Sequence, residues 1–163
     1  MLHNIFAALS LNRDFFNTVE NDSRFNFNAA LVVLFGAISW AIHGALRPGN
    51  QELINAMWRS ALLSISVWLV FSGVAMLVGR LLGGDGDFGQ VSRALGFAFA
   101  PMLLFFIPLI GNLIVWPYVL VTAAIAIDEA HDFTFPKAIV TTVAGVAAAL
   151  AGAYFFGGNF IGF

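Results

Sequence analysis

Residues 94–127 run thirty-four positions without an Asp, Glu, Lys or Arg, and Pro101, Pro108, Gly111, Asn112 and Pro117 interrupt the run. At about 1.5 Å of rise per residue, a continuous helix of that length would overshoot a hydrocarbon core of roughly 30 Å. The stretch is therefore expected to fold back on itself at residues 108–112. Composition agrees, since 60% of residues are hydrophobic and 10% charged, with a mean hydropathy of +0.89, whereas a soluble domain carries about a quarter charged residues. A surface of this kind belongs in lipid.

The expected fold class is an all-α membrane protein with about five transmembrane helices and an N-terminal amphipathic interfacial helix. Residues 1–23 form the amphipathic segment and residues 24–163 the polytopic membrane domain, with spans at about residues 28–46, 60–78, 91–107, 113–127 and 138–156. Leu2, Ile5, Phe6 and Leu9 follow helical spacing, and Phe15, Phe16 and Val19 extend the apolar surface, so the first segment fits either the bilayer interface or a docking site under the bundle. It lacks the basic n-region and unbroken apolar run of a signal peptide and is expected to stay on the protein. The third and fourth spans are short. A re-entrant hairpin competes with two crossings, and the crossings are preferred because Arg93, Asp128 and Glu129 then meet water at one end.

With five crossings, Arg13, Arg24, Arg80, Arg93 and Lys137 fall on the side of the N-terminus, and Arg47 and Arg59 face the other side. The excess of positive charge places the N-terminus in the cytoplasm and the C-terminus outside, and the expected location is the cell inner membrane. Between spans, small-residue ridges carry the packing, because lipid tails give helices no hydrophobic reason to associate. These ridges are Ala37, Ala41 and Ala45; Ala56, Ser60 and Ser64; and Ala144, Ala148 and Gly152. Gly79 and Gly83 satisfy G-x-x-x-G at the membrane edge, where a loop role is preferred to a dimer seam.

Candidate chemistry is sparse. The chain has no cysteine and a net charge of -2, which excludes thiolate chemistry and makes nucleic acid an unexpected partner. The segment Gly83-Gly84-Asp85-Gly86-Asp87 lacks the order and the lysine of a phosphate-binding loop and reads as a solvated turn. Asp128-Glu129-Ala130-His131 matches a helicase box only in its letters, and a metal held by His131 with Asp128, Glu129 and Asp132 would need distant ligands; no metal is expected. Ionisable groups inside the spans reduce to His43, whose imidazole could hold the metal of a haem or chlorophyll-like ring, although a histidine reaching interfacial water or a carbonyl is the simpler account. Ser39 lies one turn before His43 without a carboxylate, so hydrolysis is not expected, and no enzyme activity or cofactor is assigned.

Several motifs together carry a resemblance. Leu82-Gly83-Gly84, Phe88 to Arg93, Gly96-Phe97 followed by Pro101, Ile107-Pro108 with Ile110-Gly111, and Glu129-Ala130-His131 with Lys137-Ala138 resemble the Yip-domain family of small polytopic membrane proteins, in the prokaryotic type. The family-motif positions are Gly83, Gly84, Arg93, Gly96, Phe97, Pro101, Pro108, Gly111, Glu129, His131 and Lys137. The resemblance implies five membrane helices and a cytoplasmic N-terminus. Eukaryotic relatives bind prenylated Rab-type GTPases, but their D-L-Y-G-P element and long N-terminal cytosolic region are absent here, so a Rab-type GTPase is not the expected partner. The expected function is that of a scaffold or accessory subunit, in contact with lipid and with a membrane-protein partner or further copies of itself. The alternatives are a passive channel or transporter component, with Asn112 and Thr122 along its path, and a haem- or pigment-associated subunit using His43.

Overall fold

The computed structural model describes residues 1–45, 53–107 and 110–156, without the side chains of 110–112 and 156. In chain order it comprises α1 (Leu2–Leu9), α2 (Arg13–Asn21), a 3-10 turn (Ser23–Phe25), α3 (Asn26–Ala45), α4 (Leu53–Leu81), α5 (Phe88–Ala98), a 3-10 segment (Ala100–Phe106), α6 (Ile110–Ala130) and α7 (Phe135–Phe156). Five helical stretches are long and apolar enough to cross a membrane: Ser23–Ala45, Leu53–Leu81, Phe88–Phe106, Leu113–Ala130 and Phe135–Phe155. The protein is an all-helical membrane protein, and among the described residues there is no strand.

The N-terminal segment is two helices rather than one. Leu11 turns the chain with φ +56, a left-handed conformation costly for a residue with a Cβ, and the Asn12 side chain then accepts from the Phe15 amide at 3.1 Å to start α2. Such a cap satisfies an amide that the first helical turn leaves without a partner. Phe16, Val19 and Glu20, at helical spacing, form the buried face of α2, which packs on α5 and α6. On α1, Leu2 and Phe6 stay exposed, and the Leu9 carbonyl accepts from the Tyr118 hydroxyl of α6.

The third span lies at the centre. Of its most apolar window 72% is buried, against 28% for α4 and for α7, so the outer helices face the lipid and α5 faces protein. Its brevity is offset by a change of helix type. Pro101 opens the 3-10 segment, which rises about 2 Å per residue against about 1.5 Å in an α-helix, so the 19 residues of Phe88–Phe106 reach across roughly 30 Å of hydrocarbon.

Glycines bring α3 and this central strut into close contact. A Cβ on Gly96 would come within 2.7 Å of the Ala29 Cβ and 3.2 Å of its backbone, and one on Gly36 within 2.9 Å of the Met102 Cβ. Ser39 adds a hydrogen bond across the same interface, donating to the Leu103 carbonyl at 3.0 Å, where a bond within its own helix is the usual role of a serine in a span. Phe97 is fully buried and meets Phe15 and Phe25 edge-on, with centroids 5.2 and 5.9 Å away. The α4–α7 interface uses a neighbouring face of α7 from the ridge expected: Ala138, Thr142, Gly145 and Ala149 are buried, while Ala144 and Ala148 are only half-buried. The reason is the Phe71 ring of α4, which occupies the space where a Gly145 side chain would be.

Gly96→Val is expected to lower stability by about 1–3 kcal/mol, because the Ala29 backbone cannot withdraw from the added side chain. Gly73→Ala, with nothing within 4 Å of its Cβ position, is the control, expected to be neutral or slightly stabilising. Thermal unfolding in mild detergent measures both.

Candidate functional site

The polar end of the bundle gathers the C-termini of α2, α4 and α6 with the N-termini of α3, α5 and α7, and most of the family-motif residues stand there. Its centre is His131, just past α6, which is 1% exposed. Its Nδ1 accepts from the Gly86 amide at 3.2 Å, and its Nε2 lies 3.2 Å from the Ala75 carbonyl. These partners assign a neutral ring with the proton on Nε2, which donates to Ala75. Burial holds the imidazole below its ordinary pKa.

Glycines make the room for this ring. A Cβ on Gly79 would overlap the imidazole, one on Gly84 would come within 2.7 Å of His131, and one on Gly86 would overlap the Ala130 carbonyl. Gly83 turns the chain at φ +90, which only glycine adopts without cost. Phe133 stacks on the imidazole, with centroids 5.0 Å apart and ring planes 2° from parallel. Segment 83–87 is accordingly a turn solvated at Gly83, Asp85 and Asp87, as expected, and also a clasp between α4 and α5, because Gly84 and Gly86 pack on His131. Asp87 accepts from the Gln90 amide at 2.8 Å while the Gln90 side chain accepts from the Asp87 amide at 2.9 Å. This reciprocal cap was written in the sequence as Asp-x-x-Gln.

Basic side chains close the remaining gaps. Arg80 donates through Nε to the Gly86 carbonyl at 3.1 Å, and Lys137 through Nζ to the Leu82 carbonyl at 2.8 Å, so both hold the α4–α5 loop. Arg13 bridges from α2 to Asp128 at 2.5 Å and to Glu129 at 2.7 Å. Asp128 is 7% exposed, and its Oδ1 is buried without a hydrogen bond.

Arg93 differs most from expectation. Its predicted position at the water surface is incorrect, because α2 folds over the end of the bundle and leaves it 9% exposed. The guanidinium donates to the Val19 carbonyl at 3.1 Å, to the Glu20 carbonyl, and to Asn26 Oδ1 at 3.2 Å. It therefore caps the C-terminus of α2, where the carbonyl dipoles favour a cation, and ties that helix to the start of α3. Glu20 itself is buried, at 3% exposure. Burial first, and then the charges of Asp132 and Glu129, push its carboxyl pKa up to about 7, against which the hydrogen bond from Asn21 acts only weakly. Neither Glu20 nor Arg13 stands out in the sequence as part of this site: Glu20 shares a helical face with Phe16, which permits burial without requiring it, and Arg13 carries no such signal.

The other expected positions lie apart. His43 is half-buried in α3 with its ring tilted against Phe105, centroids 5.9 Å apart. Gly96, Phe97 and Pro101 act inside the bundle, as described above. Pro108 lies outside the described residues, as do the side chains at 111 and 112, so Gly111 and Asn112 are placed only within α6. Thr122 is buried and donates to the Tyr118 carbonyl of its own helix. Among the described residues no three His, Asp or Glu side chains converge as a metal site.

The family model described as the Yip1 domain matches residues 6–156. No curated protein and no solved structure gives a significant match. The matched range contains the clasp, His131, the Arg93 cap and all of the described helices except the first residues of α1.

Two outcomes follow from this geometry. Arg93→Gln is expected to cost about 2–3 kcal/mol, since buried carbonyls lose a charged donor, and to expose α2 to trypsin at Arg13 in limited proteolysis. Glu20 has a folded pKa of about 7 against 4.5 for the free side chain, so its contribution to stability is complete below pH 4.5 and disappears as the pH rises through 7. Glu20→Gln is expected to remove that part of the pH dependence and to raise stability at pH 8 by on the order of 2 kcal/mol, as read from melting temperatures between pH 5 and 8.

Proposed function

The chain belongs to the Yip1 domain family, and from that premise we propose that it works by contact, as a scaffold or accessory subunit of a membrane complex, with no bond-making chemistry of its own. One observation carries the reading. The groups at the polar end with the greatest chemical capacity are spent on the fold: both ring nitrogens of His131 and the whole guanidinium of Arg93 engage backbone or amide partners and are buried. What that end offers outward is a surface, formed by the end of α4 with exposed Leu81, by the starts of α3 and α5 with exposed Phe27 and Phe88, and by the two loops with exposed Asp85 and Asp132.

A surface mixing large apolar side chains with carboxylates suits a protein partner seated at the membrane edge. The partner is another membrane protein or a second copy of this chain. The gathering of Arg13, Arg24, Arg80, Arg93 and Lys137 at this end supports a cytoplasmic N-terminus in a cell inner membrane, by the preference of basic residues for the cytoplasmic side.

Extraction in a gentle detergent after in-cell crosslinking, followed by identification of the crosslinked chains, is expected to recover a stoichiometric partner or a homo-oligomer. A protein that emerges uncrosslinked and stays a monomer in lipid nanodiscs overturns the reading. Single cysteines introduced into this cysteine-free chain test the orientation. Asp85→Cys and Asp132→Cys are expected to react only with reagents that enter the cytoplasm. Asn50→Cys, outside the described residues, is expected to react from the opposite side. Ser92 is unsuitable for such labelling, because it is buried.

A further inference from the structure

We propose that the cavity enclosed by α3, α4, α6 and α7 binds one acyl chain of a bilayer phospholipid. The cavity measures about 440 Å3 and is lined by aliphatic and aromatic side chains and Ser64. That volume lies within the range of ligand pockets, about 300–1,000 Å3. Phe99 and Met102 of the central strut form its floor, Ala149 and Ala153 of α7 make room on one side, and Trp40 and Trp116 meet edge-on at 6.4 Å in its wall.

Its depth and its opening identify the occupant. Trp116, Val119 and Leu120 stand ten to fourteen residues before the end of α6 at Ala130, so the cavity begins roughly 15 Å below the polar end, within the hydrocarbon layer. Leu120 on α6 and Leu150 on α7 both line it and are exposed, at 45% and 66%, which sets its mouth toward the lipid between these two helices. Water gains nothing there, because an apolar cavity offers it too few hydrogen-bond partners. An empty space of this size would forfeit dispersion contacts along every wall. The medium outside the mouth is hydrocarbon chain, which is flexible, matches the lining, and carries no polar group that must be desolvated. The headgroup stays at the interface while one chain turns in between α6 and α7.

The test uses the full chain in phosphatidylcholine vesicles containing a phospholipid with a diazirine near the middle of one acyl chain, photolysed and mapped by peptide mass spectrometry. Adducts are expected at Phe99 or Met102, which are 5% and 3% exposed and unreachable from bulk lipid, as well as at outward-facing Leu77. Ala149→Phe, which fills the cavity, is expected to reduce floor labelling severalfold and leave Leu77 labelling unchanged. Ala149→Leu repeats the measurement with a smaller insertion should the larger side chain prevent folding. Labelling of Leu77 without the floor overturns the proposal, and so does floor labelling that neither variant reduces. Floor labelling that appears only after deletion of residues 157–163 also overturns it, because the chain would then be filling its own cavity.

Discussion

A guanidinium buried without an ion-paired carboxylate among the described residues is the constraint around which the polar end of this protein is arranged. Arg93 sits on the most enclosed helix of the bundle, and its charge is balanced by carbonyl dipoles at the end of α2 and by the Asn26 side chain. Removing a charge from water is tolerated only where such partners are already in place. The arrangement therefore requires α2 to cover the end of α5. Covering it brings Phe15 onto Phe97 and Arg13 onto Asp128 and Glu129, so the buried cation acts together with the apolar face of α2 in docking that helix.

A second buried group, the neutral imidazole of His131, joins the other two loops. The ring reaches α4 through the Ala75 carbonyl and the α4–α5 loop through the Gly86 amide, and three glycines leave the space it occupies. The basic residues that hold that loop, Arg80 at the end of α4 and Lys137 at the start of α7, are used on its carbonyls rather than on free carboxylates. The acidic groups nearby are consequently left close to one another, and Glu20, buried against Asp132 and Glu129, keeps its proton up to about pH 7. The local charge balance is thus a product of how the loops are tied.

Deeper in the membrane, polar ties give way to close approach of backbones. Gly36, Gly96 and Gly145 each take a neighbouring side chain where their own would be, which is how helices gain dispersion contacts when lipid supplies no hydrophobic drive. Where the facing residues are instead Ala149 and Ala153, the helices leave a space open toward the lipid. Much of this scheme was legible beforehand. Runs of apolar residues bounded by arginines marked the spans, and Gly96-Phe97 with Pro101 marked the junction that becomes a close contact, an aromatic hub and the start of a 3-10 segment. The α7 ridge was misplaced by one position because alanine occurs on every face of that helix, and only the Phe71 ring distinguishes one face from the next.

What the sequence by itself determined is the solvent of this protein and the number of its segments long and apolar enough to cross it, since hydropathy and the spacing of charges act residue by residue. Only the tertiary structure decided that Arg93, Glu20 and Asp128 leave water while Asp85 and Asp132 keep it, and that a glycine-rich loop closes on a histidine 45 residues away. Those outcomes depend on which helix end covers which, and burial of a charged group is a property of its partners rather than of its neighbours along the chain.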